Sequence, residues 1–162
     1  MAATLHNEES KYLAQQLGEV LLHGTWVANT NFKEVIKDLS LDEALYKPNT
    51  NNSIALLVFH INYYMQGVLE VFRGGPLNIH DKYSFDMPPL RSEADWQHLK
   101  NSFLKNSETF IATVRATIEA QWQQTFVKAE YGTYRRNIDG FIAHSYYHLG
   151  QAVLIKKMVR NS

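Results

Sequence analysis

The chain has no cysteine. That absence removes disulfides, thiolate nucleophiles and every cysteine-based zinc site. It also fits a reducing compartment. Net charge is absent too, because 16 lysines and arginines balance 16 aspartates and glutamates. A general grip on nucleic acid needs a basic excess or stripe, so composition argues against that partner. No apolar run, SIALLVF among the longest, nears the roughly 20 residues that span a bilayer. The N-terminal MAATLHNEESKYLAQQ lacks the apolar centre of a signal peptide. We read a soluble, cytoplasmic protein with no membrane partner. Several catalytic signatures are missing as well. There is no G-x-S-x-G elbow, no H-E-x-x-H and no Glu-x-x-His pair of di-iron bundles. No glycine-rich loop is placed to cradle phosphate.

What is present suits one globular domain covering residues 1–162. The composition is 45% hydrophobic and 20% charged, ordinary for such a domain. Helical periodicity dominates. A first helix is predicted from about residue 9 to 38, with Leu13, Leu17, Val20, Leu21, Gly24, Val27, Ala28, Asn31, Val35 and Ile36 on the repeat. Ser40 and Glu43 form a candidate capping box for a short turn. Ser53 is the expected N-cap of a second helix, about 53 to 73, stopped by Gly74, Gly75 and Pro76. Ser92 and Asp95 open a third helix, about 92 to 121, whose inner face is marked by Trp96, Leu99, Phe103, Phe110, Val114 and Ile118. The segment QQTFVKAEYGTYR has some strand-like character. A last helix, about 136 to 159, reads as apolar on nearly all sides and therefore central. Four long helices and few strand signals predict an all-α four-helix bundle, with a long crossover at 74–91 between helices 2 and 3.

Seven histidines are present. His6, His23, His80 and His98 lie in polar or irregular surroundings and read as surface or cap residues. His60, His144 and His148 fall on predicted inner faces. Residues 144 and 148 are one turn apart on one helix face, and His60 lies on another core-facing helix. Bundles build metal sites from side chains on facing helices, and three imidazoles with an open position can make a catalytic metal site. A buried histidine can equally be a hydrogen-bonded core residue, and on the residues alone both readings stand. Glu8, Glu9, Asp38, Glu93 and Asp95 lie at helix ends as dipole partners. Asp139 sits about one and a half turns before His144 and points elsewhere, so neither it nor Glu70 is counted as a ligand. Tyr63, Tyr64, Tyr146 and Tyr147 flank the histidines. Most of them read as packing, while Tyr64, one turn after His60, could line a pocket and donate to a substrate. Gln151 could support a ring N–H of His148 or make a packing hydrogen bond.

The segments SIALLVFHINYYMQGVLEVFRGGP, ADWQHLK and IDGFIAHSYYHLGQAVLIKK together resemble the DinB-like superfamily, over almost the whole chain. The closing H-x-x-x-H-x-G-Q is the most specific part. The resemblance implies an up-down-down-up bundle in which His60, His144 and His148 hold a divalent metal. It also implies a homodimer, and relatives that are thiol S-transferases or hydrolases. Zinc or nickel suits histidine ligands, and Lewis-acid activation of water or a thiol is the chemistry expected. With no cysteine in the chain, that thiol must be a low-molecular-weight cosubstrate. The rival reading is a non-catalytic bundle that binds a small ligand or a partner, with a structural or vestigial metal site.

Overall fold

Helices make up the whole regular structure of the computed structural model, which describes residues 7–49 and 52–161. Helix α1, Glu8–Gly18, runs straight into a π-helical turn, Glu19–His23. Two short helices follow, α2 (Phe32–Ile36) and α3 (Leu41–Leu45). Three long ones complete the chain: α4 (Ile54–Phe72), α5 (Glu93–Ala116) and α6 (Tyr134–Asn161). Helix α5 packs chiefly on α4 and α1, and α6 closes against both α4 and α1. Trp96, Phe103, Phe110 and Trp122 are fully buried between them.

The helix starts follow their caps. Ser53 Oγ accepts from the Leu56 N–H at 3.2 Å. Ser40 with Glu43, and Ser92 with Asp95, each close a reciprocal capping box, satisfying donors that a helix start leaves unpaired. Glu93 also reaches across to accept from the Leu41 N–H, tying α5 to the start of α3. By length and composition alone α4 could cross a membrane, but most of it is buried inside the fold.

The fold departs from the sequence reading in four places. The first helix is not continuous to residue 38. Gly24 is extended, and a Cβ there would lie 2.3 Å from the Glu19 Cα. The chain therefore turns at a position only glycine can take. Ala28 and Asn29 then adopt left-handed φ of 56°, and Val27 is exposed. Helix α5 stops at Ala116, where Thr117 turns extended, so Ile118 is 66% exposed rather than on the inner face. Helix α6 is not apolar all round in the buried sense: Leu154 is 54% exposed, and Tyr147 and Met158 face outward too. The strand-like segment amounts to one isolated bridge, Thr125 with Thr133. His6 lies outside the described residues.

One buried relay joins α1 to the segment between α5 and α6. The Trp122 indole N–H donates to Ser10 Oγ at 2.8 Å, and the Ser10 hydroxyl donates to the Thr117 carbonyl at 2.6 Å. Both side chains are wholly buried. Ser10→Ala removes the shared partner and leaves two polar groups unmatched. We expect a loss of about 1–3 kcal/mol in urea unfolding, with helical content retained. A loss below about 0.5 kcal/mol would mean that the relay contributes no more than an ordinary surface contact.

Candidate metal centre

Three histidines meet where α6 crosses α4. His60 comes from the first half of α4, and His144 and His148 lie one turn apart on α6. His144 Nε2 is 3.1 Å from His60 Nε2 and 2.9 Å from His148 Nε2. One ligand nitrogen from each lies within 4.8 Å of the other two. His60 and His148 are only 4% and 5% exposed, and His144 is half-buried. Helix α6 is brought here by Phe141, Ile142, Leu149 and Ala152, which bury on the faces beside the histidines.

Neighbours set the direction of the rings. The Ser84 carbonyl lies 3.2 Å from His60 Nδ1. A carbonyl can only accept, so Nδ1 carries the proton and Nε2 keeps its lone pair. The Gln151 Oε1 lies 2.7 Å from His148 Nδ1 and fixes that ring in the same way. Phe85 stacks on His60, with ring centres 3.9 Å apart and planes 7° from parallel. Tyr64 sits edge-on to both His60 and His144. The segment 80–85 of the α4–α5 connection thus supplies one wall of the centre. It is pinned by two tyrosines: the Tyr63 hydroxyl accepts from the His80 N–H and donates to the His80 carbonyl, and the Tyr64 hydroxyl donates to Asp81 Oδ1 at 2.6 Å.

Burial decides the charge. Desolvation pushes the pKa of His60 and of His144 down to about 4, and it lowers His148 in the same direction. For His60 and His144 the neighbouring imidazoles add to the effect. The rings are therefore neutral at physiological pH, the form in which imidazole ligates a metal. The donor set also fits a cation for a second reason. With the Nδ1 protons of His60 and His148 committed, two lone pairs face His144 Nε2. A proton on His144 Nε2 satisfies one of them at a time, whereas a cation accepts from all three.

The structure brings together all three histidines singled out in the sequence. Gln151 takes the supporting place beside His148. Tyr64 lines the adjoining cavity, but its hydroxyl is spent on Asp81, so it does not stand ready for a substrate. His23, His80 and His98 are exposed. Asp139 is engaged by Arg135, and Glu70 by Arg73. Sequence reasoning missed Asp81, Ser84 and Phe85. Ser84 contributes through its backbone carbonyl, which no side-chain pattern can reveal.

The lowered histidine pKa values carry a stability prediction for metal-free protein. Between about pH 6.5 and pH 4 the unfolded chain binds protons that the folded triad refuses. Stability should therefore be complete above that window and fall as the pH drops through it. His144→Gln should flatten this part of the profile in urea titrations. An equally steep profile in the variant would place the proton uptake elsewhere.

Comparison with known proteins agrees with this geometry. No curated protein and no solved structure matches the chain. The family model of the DinB superfamily matches residues 27–152, a span that includes all three histidines, the whole of α4 and most of α6. The chain belongs to the DinB superfamily.

Proposed function

We propose that His60, His144 and His148 hold one divalent cation, zinc or nickel, and that the protein is a metal-dependent enzyme acting on a small molecule. The reaction is a hydrolysis or a transfer to a thiol cosubstrate. The observation that carries this reading is the convergence of three neutral imidazole nitrogens at 2.9 and 3.1 Å, with no carboxylate in the group. Structural zinc sites usually take four protein ligands. Three leave room for a reactant. A cation held there supplies Lewis acidity, which lowers the pKa of a water or thiol brought to it.

The chain's own groups do the rest. Ser84 and Gln151 hold the rings of His60 and His148 with Nε2 inward. Phe85 and Tyr64 cover the centre on the side of the α4–α5 connection. The open side is a cavity of about 400 Å³ that reaches His144, with Val68 and Phe141 among its apolar walls. A substrate entering there meets His144 first. The same reading takes α1, α4, α5 and α6 as an up-down-down-up bundle, with the α4–α5 connection as its crossover, in a cytoplasmic homodimer.

Elemental mass spectrometry on protein purified without a metal-affinity tag tests the centre. We expect about one metal per chain, as for a single three-ligand site. It should be lost in His60→Ala and in His148→Ala, with the helical circular dichroism kept. Protein that holds no metal and takes up neither Zn²⁺ nor Ni²⁺ would sink the proposal. Gln151→Leu removes the acceptor for the His148 N–H and should weaken metal affinity about 10–100-fold. An unchanged affinity would reduce Gln151 to a packing contact.

A further inference from the structure

The cavity beside the triad has a charged end. Along one face of α6 stand Arg136, Gly140, His144 and His148, each one turn from the next. Arg136 and His144 are separated by two turns, about 12 Å of helix rise, and both line the cavity with Gly140 between them. A Cβ built on Gly140 would meet nothing within 4 Å. The floor between the arginine and the histidine is therefore open.

Three of the six arginines are held in ion pairs, whereas Arg91, Arg115 and Arg136 make none among the described residues. Arg135 is held by Glu9 and Asp139, Arg73 by Glu70, and Arg160 by Asp38 and Glu43. Arg136 makes no ion pair among the described residues. Its stem passes close to the backbone at Gly132, whose φ is 74°, and a Cβ there would lie 3.3 Å from Arg136 Cγ. The stem is thus positioned while the guanidinium is left uncommitted. The other polar groups at this end are occupied. Asn137 spends its amide on the carbonyls of Tyr131 and Thr133. The first four N–H groups of α6 are all taken, by Gln124 and Trp122 carbonyls and by Thr133. Recognition of charge at the cavity mouth therefore falls to the Arg136 guanidinium.

We propose that the substrate of this centre is a small carboxylate, its single negative charge gripped by Arg136 while its reacting end lies at His144. Arg136 is the only charged side chain among the described residues that line the cavity, so it is the one protein charge that an anionic group entering at this end can pair with. Val68 and Phe141 offer the body of the molecule an apolar wall. A guanidinium also suits a carboxylate geometrically, because it can bond both oxygens at once. The proposal rests on the metal-centre reading for which end of the substrate reacts. The grip by Arg136 does not need the metal.

The test compares 4-phenylbutyrate with its uncharged amide by calorimetric titration, on protein as purified and after chelation. The acid should bind at least about fivefold tighter than the amide, as a charge-assisted pair allows. Added salt should weaken the acid and leave the amide unchanged. Arg136→Met should erase the difference with metal content unchanged, and Arg136→Lys should keep part of it. Gly140→Ala should weaken both probes alike, since the added methyl projects into the floor. Equal binding of acid and amide to the parent, no binding of the acid, or a preference that survives Arg136→Met would overturn the inference. Unchanged binding in Gly140→Ala would do so too, by placing the ligand outside the groove. The two readings fail separately. A metal-loaded protein with no acid preference overturns only this one, and an Arg136-dependent preference in a protein that takes up no metal overturns only the metal centre.

Discussion

Three imidazole nitrogens face one another at 2.9 and 3.1 Å, and two of the three rings have their protons committed elsewhere. A single proton on His144 Nε2 satisfies only one of the two facing lone pairs at a time. The arrangement survives only while the rings stay neutral, because like charges this close in a desolvated pocket repel strongly. Neutrality and ring orientation both come from the surroundings. Burial by α4 and α6 keeps protons off, and the Ser84 carbonyl and Gln151 amide oxygen fix which nitrogen points inward. Placing His60 and His148 at the helix crossing thus packs the rings and turns their Nε2 atoms toward one point. The cost of desolvating a histidine is small when the ring is neutral and both nitrogens have partners.

The α4–α5 connection is best understood through that centre. A segment of this length is costly to order, and Leu77, Met87 and Leu90, only partly buried against the core, hold its two ends. Its middle is held by polar pins at 80–84. The Tyr63 hydroxyl bonds both backbone groups of His80, Tyr64 bonds Asp81, and Ser84 Oγ donates to the Asp81 carbonyl. All three tyrosine and histidine anchors lie within two turns of α4, at Tyr63, Tyr64 and His60. One stretch of helix therefore positions one histidine of the triad and the wall that covers it. Phe85 completes the wall by stacking flat on the His60 ring, which excludes water from that face without spending a polar group.

How much of this was legible in the sequence depends on the range of the interaction. The caps at Ser40, Ser53 and Ser92 are decided within four residues, and they stand where the sequence placed them. The pairing of His144 with His148 is equally local, since it needs only helical spacing. That α4 would bring His60 to the same point was legible only as an inner-face position, and the superfamily resemblance supplied the rest. Breaks were harder to see. Leu13 through Ile36 keep a helical repeat across Gly24, because Phe32, Val35 and Ile36 return to the same core after the turn. Periodicity alone cannot tell a continuous helix from two that share a core. Ile118 and Leu154 misled for a related reason, since an apolar side chain is permitted on a surface. Ser84 and Phe85 could not have been found, because backbone carbonyls and loop stacking leave no spacing to read.

His144 holds the least constrained place in the triad and the most exposed one. Its hydrogen-bonding contacts run through Nε2 alone, whereas His60 and His148 are each anchored at Nδ1 as well. It is also the one histidine that lines the cavity. The asymmetry has a physical logic. Two rings are held at both nitrogens, and the third, held at one, is freer to turn. A ring anchored at both nitrogens resists such adjustment, because turning it would strand a buried N–H. The freedom of His144 is bounded by Tyr64, edge-on at 5.6 Å between ring centres, and Tyr64 is in turn fixed by Asp81 of the connection. Contacts made 17 residues apart in the chain thus limit how far the His144 ring can move beside the cavity that Tyr64 and Gly140 both line.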